Sequence, residues 1–463
     1  MSKHEKFNFK NLEALRKSIA ERGLDIQLRE DFRALSAHVA IGPKTAPNAM
    51  AVLPIEGCDC QPDGSPSELF ERRYLRFASG GAGLLWWEAC AIVSEGLANP
   101  LQMMLTEQNA KAVALLLAKI NQAAADKNGA AHRPIHILQL THSGRYSRPE
   151  GHRMKPIICQ HDPLLDSRAG IDETAPLATD AYLESLVEHY VKAARLAQDC
   201  GFDGVDIKAC HRYLISDLLA ARNRPGKYGG SFENRTRLLL EIVREVKKDT
   251  EKDFIAAVRL NAYDAHPYPY SFGVKPEIDS AVYDPDEPVR LVKQLVENGV
   301  QLLCTSAGNP YSHIPHVVRP FDTEIPGMSI PNEHPLEGAA RLFGLTRDIQ
   351  RAAGTVPVVG SGYSWLRQFA PHVGAANLAN GSCGFVGFGR LSFAYPDAPR
   401  DILVGGLNPG KTCITCSKCT QIMRAHGRTG CVVRDSMVYA QLFKEAIEDA
   451  KKWQDLLKQY RKG

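Results

Sequence analysis

The chain has 463 residues, of which 44% are hydrophobic and 23% charged, the balance of a globular protein that can bury a sizeable core. Lys and Arg number 56 against 52 Asp and Glu, and this near-cancellation argues against a dedicated nucleic-acid binder, which carries a clear basic excess. The first residues lack an apolar core, and the richest apolar run, 110–125, is broken by Lys111 and Lys119. We therefore expect neither a secretory signal nor a membrane span, and a cytoplasmic protein whose 12 cysteines are reduced.

From Asn48 onward the chain repeats a short apolar run, a loop and a longer amphipathic segment. The apolar runs are rich in Val, Ile, Leu and Phe with little alternation, which is typical of strands buried on both faces. The predicted strands are 49–53, 83–87, 135–140, 204–207, 254–260, 302–305, 356–360 and 385–387. The clearest predicted helix is 179–200, where apolar residues recur at three- and four-residue steps after a capping Thr179. The other predicted helices are 68–77, 110–126, 235–248, 288–297 and 337–352.

Strands that alternate with helices pair in parallel through right-handed crossovers, and eight such units favour a (β/α)₈ barrel over an open sheet. No Gly-x-Gly-x-x-Gly turn follows an early strand, which weakens the dinucleotide-binding alternative. Three long loops, 141–178, 261–286 and 306–335, each follow a predicted strand, so we expect them at the C-terminal mouth, where barrels place their sites. The sequence predicts three segments: a polar helical extension (1–36), the barrel (37–405) and a cysteine segment with a final helix (406–463).

Four cysteines close to the C-terminus have the spacing C-x₂-C-x₂-C-x₁₁-C: Cys413, Cys416, Cys419 and Cys431. Three close thiolates and a distant one can hold a 4Fe–4S cluster. A structural zinc is the main alternative, because four cysteines suit tetrahedral zinc equally well.

Several segments, in order along the chain, resemble the old yellow enzyme family of flavin-dependent reductases: 88–96, 138–145, 201–214, 229–235 and 258–260. The resemblance covers about residues 37 to 435 and is nearest to the branch of 2,4-dienoyl-CoA reductase and trimethylamine dehydrogenase. That branch carries an iron–sulfur cluster just after its barrel, where this chain has its four cysteines. The resemblance therefore favours iron–sulfur over zinc, although the related reductases have one more residue between the second and third cysteine.

The resemblance implies FMN across the barrel mouth. Arg390 and the glycines that end the last two strands would bind its phosphate, since backbone N–H groups and an arginine suit that anion. Gln139 matches the glutamine at the pyrimidine edge, and Arg259 the arginine beside N1. A structural ion pair is the alternative for Arg259, because an unpaired arginine inside an apolar strand is costly. The full predicted FMN set is Pro54, Ile55, Glu56 and Gly57 near N5, Ala89 against the ring, and Gln139, Arg259, Gly360, Ser361, Gly362, Gly389 and Arg390.

The substrate residues implied by the resemblance follow the fourth strand: Lys208, His211 and Tyr213. Family members use two polar residues here to bind a carbonyl oxygen, and a tyrosine two residues further on often supplies a proton. Lys208 replaces the usual histidine, and a structural ion pair with Asp206 or a loop acid is an equally weighted alternative. Arg212 replaces a common glycine, which leaves the local loop shape open, and Tyr311 or His313 could line the site without an assigned role.

These residues imply an FMN-dependent ene-reductase, an oxidoreductase that transfers a hydride from flavin N5 to the β-carbon of an α,β-unsaturated carbonyl compound. An enoate, an enoyl thioester or a cyclic enone such as a steroid would serve as the small-molecule substrate. One alternative is an amine dehydrogenase or demethylase, which would need an aromatic cage around a cation and is disfavoured by Lys208. The other is a non-catalytic electron-transfer subunit.

The electron source is predicted from the cysteine segment. The relatives continue past the cluster into domains that bind FAD or ADP and, in the reductases, NAD(P)H, whereas 32 residues follow Cys431 here, with one predicted helix over 437–460. We therefore expect a separate flavoprotein or ferredoxin to deliver electrons through the cluster, with direct reduction by NAD(P)H as the competing route. The sequence leaves the oligomeric state open.

Overall fold

A computed structural model describes residues 3–312, 314–326 and 328–460, without the side chains of Pro315 and residues 456–460. The strands are β1 (Val39–Ile41), β2 (Lys44–Ala46), β3 (Met50–Val52), β4 (Leu84–Ala91), β5 (Ile135–Thr141), β6 (Gly204–Ile207), β7 (Ile255–Asn261), β8 (Leu302–Ser306), β9 (Val358–Gly360) and β10 (Phe385–Phe388). β1 and β2 form an antiparallel hairpin, and the other strands pair in parallel in the closed order β10-β3-β4-β5-β6-β7-β8-β9. This confirms the predicted (β/α)₈ barrel.

Helices cover the outside of the barrel and both chain ends. They are α1 (Leu12–Glu21), α2 (Arg33–Ser36), α3 (Glu68–Ser79), α4 (Ala110–Asn128), α5 (Pro163–Ala169), α6 (Asp180–Asp199), α7 (Leu214–Leu219), α8 (Phe232–Asp249), α9 (Asp286–Glu297), α10 (Pro335–Ala353), α11 (Ala370–Ala379), α12 (Arg390–Ala394), α13 (Ala398–Leu403), α14 (Lys418–Arg424) and α15 (Ser436–Tyr460). The hydroxyl of Thr179 accepts from the Tyr182 N–H at 3.1 Å, which confirms the predicted cap of α6.

The barrel interior is filled by side chains rather than left open. Leu84 and Trp86 of β4, with Ile135 and Ile137 of β5, pack in one cluster with inward residues of the other strands. The hairpin adds Ile41 and Ala46 to this cluster, so it closes the bottom of the barrel. Its two strands of three residues each are too short to give a periodic sequence signal, and the sequence did not predict them.

Helix α11 was also missed. Its sequence, APHVGAANLA, is apolar and small almost all round, and it is buried on most of its surface. A helix without a polar stripe has no amphipathic period to recognise.

Both chain ends pack on the barrel. Leu15 and Ile19 of α1 are buried in one cluster with Trp365 and Phe369. At the other end, the Asp435 carboxylate lies between Arg72 and Arg76 of α3 and fixes the start of α15. None of the helices in the described part of the chain combines the length and apolarity needed to cross a membrane.

Candidate active site

A cavity opens at the C-terminal mouth of the barrel. Its walls come from the loops after β3, β6, β8, β9 and β10 and from the cysteine segment. Eleven of the residues predicted to bind FMN or substrate line it: Pro54, Ile55, Glu56, Lys208, His211, Tyr213, Arg259, Ser361, Gly362, Gly389 and Arg390. The topology therefore brings together residues that span most of the sequence, because the carboxyl ends of all barrel strands meet at this mouth.

Four predicted FMN residues do not line the cavity: Gly57, Ala89, Gln139 and Gly360. Gln139 donates from Nε2 to Asp206 Oδ2 at 2.6 Å, so its amide is held inside the barrel wall. Asp206 also accepts from the Trp86 indole at 2.9 Å, and burial raises the pKa of this carboxyl to about 6. The contacts of these four residues with FMN stay predictions.

Arg259 has a different environment from the predicted alternative. Its guanidinium donates to the Pro54 carbonyl at 3.2 Å, its Nε has no partner, and no carboxylate in the described part of the chain lies within 4.0 Å of it. The structure does not contain the structural ion pair that would explain a buried arginine here. Asp206 lies near enough to act on the charge of Arg259 but beyond ion-pair distance, so the guanidinium keeps an unused donor that suits a ligand with acceptor atoms.

Lys208, Glu56 and Tyr213 form a compact group at the centre of the cavity. Lys208 Nζ donates to Glu56 Oε1 at 3.0 Å and lies 3.6 Å from the centre of the Tyr213 ring. The Tyr213 hydroxyl lies 3.3 Å from the same carboxylate oxygen. The ion pair predicted as the alternative for Lys208 is present: its partner is a loop acid, Glu56, which also lines the cavity.

Tyr311 joins this group. Its hydroxyl lies 3.0 Å from that of Tyr213, and its ring packs 4.3 Å from the ring of Tyr146. Burial, with the Glu56 charge nearby, raises the pKa of Tyr213 well above its ordinary value, so its proton is retained at neutral pH. His313 lies outside the described residues.

His211 is placed by a tight backbone turn. It and Arg212 both have left-handed φ angles, 65° and 62°, where glycine is the usual residue. The ring Nε2 of His211 lies 2.7 Å from Ser306 Oγ, which orients the imidazole. Burial and the nearby charges of Arg259 and Lys208 lower its pKa well below the ordinary range, so the imidazole is neutral at neutral pH.

Arg212 explains how the turn is maintained without glycine. Its guanidinium is buried and lies 2.8 Å from Asp217, 3.3 Å from Asp162 and 3.4 Å from Asp264. These carboxylates come from helix α7 and from the loops before α5 and after β7, so the side chain ties three segments of the mouth together. The strain of a left-handed residue is of order 1–3 kcal/mol, which such a network can offset.

We expect the substitution Arg212→Met to lower the free energy of unfolding by about 3–5 kcal/mol, because it leaves buried carboxylates without their counter-charge. Urea denaturation of the two proteins measures this loss. The control is Arg195→Met, which removes the exposed ion pair with Asp249 and should cost about 1 kcal/mol or less. Equal effects of the two substitutions would show that the Arg212 network does not stabilise the fold.

Two arginines line the far end of the cavity. Arg390, at the start of α12, donates to the Pro320 carbonyl, but its Nη1 has no partner. Arg319 is unpartnered at Nε and Nη2, and burial together with Arg390 and Arg424 lowers its pKa to about 10. Gly362, with φ 100°, and Gly389 flank these cations. Unsatisfied guanidinium groups beside glycine turns fit a phosphate, so the residues present suit FMN.

Arg319 was not predicted from the sequence. It is an isolated arginine in the long loop after β8, and its position gives no motif. Only the fold brings it within range of Arg390.

A smaller cavity is lined by all four predicted cysteines, Cys413, Cys416, Cys419 and Cys431. The Thr415 N–H donates to the sulfur of Cys413 at 3.4 Å, and the Arg434 N–H to that of Cys431 at 3.2 Å. Thr415 and Ser417 adopt left-handed φ angles, which wind the short loop around the cavity. Cys419 and Arg390 line both this cavity and the barrel mouth.

The four thiols suit a cluster by their number and by their common cavity. In the described part of the chain, however, no three His, Cys, Asp or Glu side chains are grouped as a metal site requires. The iron–sulfur cluster and the zinc alternative therefore both stay predictions.

The fold and this cavity define a barrel whose mouth carries unsatisfied cations suited to an anionic ligand. The profile of the NADH:flavin oxidoreductase / NADH oxidase family matches residues 35–268, and the chain belongs to that family. The predicted kinship with old yellow enzyme is thereby confirmed.

Among curated proteins, the chain is 27% identical to an NADH oxidase of Thermoanaerobacter brockii over 392 residues, which cover 83% of this chain and 53% of that protein. It is 25% identical to a metal reductase of Desulforamulus reducens, over 77% of this chain and 47% of that protein. The chain thus spans about half the length of these relatives.

Solved structures share the fold. A complex of 2-naphthoyl-CoA reductase with 2-naphthoyl-CoA has a TM-score of 0.68 at 21% identity, covering 87% of this chain and 57% of that one. A histamine dehydrogenase from Rhizobium sp. 4-9 has a TM-score of 0.64 at 20% identity, over 87% and 52%. The old yellow enzyme homologue from Zymomonas mobilis has a TM-score of 0.58 at 23% identity, over 80% and 93%.

Proposed function

We propose that this chain is an FMN-dependent ene-reductase that reduces the C=C bond of an α,β-unsaturated carbonyl compound. The observation that carries the proposal is the grouping of Lys208, Glu56 and Tyr213 in the mouth of a flavin-family barrel. When bound and reduced, FMN would supply a hydride for the β-carbon of the substrate. Arg390, with Gly362 and Gly389, would hold its phosphate, and Arg259 and residues 54–56 would hold the ring system.

The protein groups divide the remaining chemistry. As the β-carbon gains a hydride, negative charge develops on the carbonyl oxygen, and the ammonium of Lys208 and one N–H of neutral His211 can stabilise it. The α-carbon then needs a proton, which the Tyr213 hydroxyl can donate because its raised pKa keeps it protonated. Tyr311, 3.0 Å from that hydroxyl, can return a proton to it.

The charge of the cavity supports reduction of a carbonyl compound over oxidation of an amine. Lys208, Arg259, Arg319 and Arg390 line it, against the single carboxylate of Glu56, which is already paired with Lys208. A cationic amine would be repelled by this set, whereas an oxygen that gains negative charge would be stabilised.

We also propose that the four cysteines hold a 4Fe–4S cluster and that electrons from a separate flavoprotein or ferredoxin pass through it. Two residues, Cys419 and Arg390, line both the cysteine cavity and the barrel mouth, so a cluster and a flavin would be neighbours. Stopped-flow mixing tests the route: rapid bleaching of the flavin by NADH or NADPH alone would establish direct reduction instead.

We expect anaerobically purified protein to contain about four iron and four sulfide per chain. The substitution Cys416→Ser should remove most of both, because it deletes one of the four thiolates. Metal and sulfide analysis measures this, with Cys200→Ser as the control, since Cys200 contacts the Ala110 carbonyl away from the cavity. One zinc per chain and no sulfide would contradict the cluster.

The experiment that tests the main proposal is turnover of a panel of enones and enoates by FMN-loaded protein with dithionite as reductant. Reduced products identified by mass spectrometry would support it. Flavin that is reduced and reoxidised by oxygen but by none of the panel would overturn it.

A further inference from the structure

A third cavity, here called the annex, borders the barrel mouth and is lined by Asn99, Tyr146, Arg148, Arg168, Arg424 and His426. It also shares Glu56, Tyr311, Met423 and Arg424 with the barrel mouth. The two cavities are therefore contiguous, and a ligand whose carbonyl meets Tyr213 could extend past Tyr311 into the annex.

The annex carries three guanidinium groups without a matching carboxylate. None of Arg148, Arg168 and Arg424 has a carboxylate within 4.0 Å in the described part of the chain. The acid shared with the barrel mouth, Glu56, is paired with Lys208. Glu324 lies near Arg424 but beyond ion-pair distance.

Two of these arginines are held in place by neutral groups. Arg424 donates to the Pro310 carbonyl, and Arg148 donates to the Nε2 of His426. Burial lowers the pKa of both guanidinium groups and, with Arg148 nearby, lowers that of His426 to about 3. Such fixed, partly buried cations are costly when unpaired, and an anion between them would remove that cost.

We propose that the annex binds an anionic group, a carboxylate or a phosphate, at the far end of the ligand that occupies the barrel mouth. The inference rests on the proposed ene-reductase function and narrows its substrates to unsaturated carbonyl compounds with a distal anion. The phosphates of a nicotinamide dinucleotide are a second source of the same chemistry, and the test separates the two.

The test uses the FMN-loaded protein with 7-oxo-oct-5-enoate and its methyl ester, which have the same enone and differ in one charge. Arg424→Gln and Arg148→Gln should each raise KM for the acid about 10-fold or more, since a hydrogen bond between charged groups contributes about 1.5–3 kcal/mol. In Arg148→Gln the KM for the ester should change less than about twofold, because Arg148 lines the annex and not the barrel mouth. Arg153→Gln is the control, because Arg153 is exposed in the same loop as Arg148 and does not line the annex.

The same variants are tested with NADH as reductant. A rise of KM for NADH with an unchanged KM for the acid would support the anion site and assign it to the dinucleotide. Equal changes in KM for the acid and the ester, or no change in KM for the acid, the ester or NADH, would overturn the proposal. If a variant does not fold, the wild-type protein is assayed with phosphate in place of chloride at constant ionic strength. Phosphate should then raise the KM for the acid and leave the KM for the ester unchanged. If the KM for the acid does not rise, the proposal is overturned.

Measurements of ligand binding separate a failure of the anion-site proposal from a failure of the proposed ene-reductase function. The Kd of acid and ester is measured from the change in the flavin absorbance of the oxidised protein. If the acid binds more tightly than the ester but neither is reduced, the anion site is supported and the proposed reaction is refuted. If both are reduced but their Kd values are equal, the reaction is supported and the anion site is refuted.

Discussion

The substitution Tyr213→Phe should lower the rate of enone reduction by about 10²- to 10⁴-fold, the usual contribution of a positioned proton donor. The ring and its contact with Lys208 remain, and only the hydroxyl that lies 3.3 Å from Glu56 and 3.0 Å from Tyr311 is lost. The reduction of the flavin by dithionite should be unchanged. Turnover with an enone is measured under single-turnover conditions, which separate the oxidation of the flavin from its reduction.

The matched control is Tyr228→Phe, which removes an equally buried hydroxyl that donates to Glu241 at 3.0 Å, outside the barrel mouth. It should leave turnover within about twofold. If both variants reduce the enone at the wild-type rate, the proton comes from another donor and Tyr213 only packs. If wild-type protein reduces no enone while its flavin exchanges electrons, the chain is an electron carrier.

The barrel was predictable because its signal is local and repeated. The buried parallel strands are mainly apolar runs, and most covering helices have a 3.6-residue period, as in α6. The hairpin over Val39–Ala46 and helix α11 were missed because a three-residue strand and an apolar helix have neither signal.

The site was predictable where a residue follows a strand, since the topology then fixes its place at the mouth. Lys208, His211 and Tyr213 after β6 are such residues, and all three line the cavity. Side-chain direction was less predictable. Gln139 sits within β5 and turns to Asp206, a contact that depends on strand register between β5 and β6 and not on local sequence.

The sequence predicted that Tyr311 could line the site, but it gave no position for Arg319 or Arg424. Arg319 and Tyr311 lie after β8, and Arg424 lies in the cysteine segment, yet all three line the barrel mouth. Their positions follow from the packing of separate segments, such as the Arg424 contact with the Pro310 carbonyl. The partner of Lys208 shows the same limit: the partly buried Glu56 lies 152 residues earlier in the chain.

Arg259 either binds the flavin or belongs to a structural ion pair. The two interpretations predict opposite changes in the free energy of unfolding when this side chain is replaced. The guanidinium is buried in β7 without a carboxylate within 4.0 Å in the described part of the chain. Replacing an unpaired buried charge by an apolar side chain of similar length should leave the unfolding free energy of the flavin-free protein unchanged or raise it. A structural ion pair would predict a loss of about 3–5 kcal/mol.

We therefore expect Arg259→Met to raise the Kd for FMN about 10- to 100-fold, the equivalent of about 1.5–3 kcal/mol for a hydrogen bond to a charged group, without destabilising the flavin-free protein. Fluorescence titration with FMN and urea denaturation of the flavin-free protein measure the two quantities. The control is Arg235→Met: Arg235 is also buried but lies 2.5 Å from Glu287, so it should show the reverse pattern, with lower stability and unchanged FMN affinity. If Arg259→Met behaves like Arg235→Met, the cation supports the barrel wall, and the proposed placement of the flavin ring beside it is wrong.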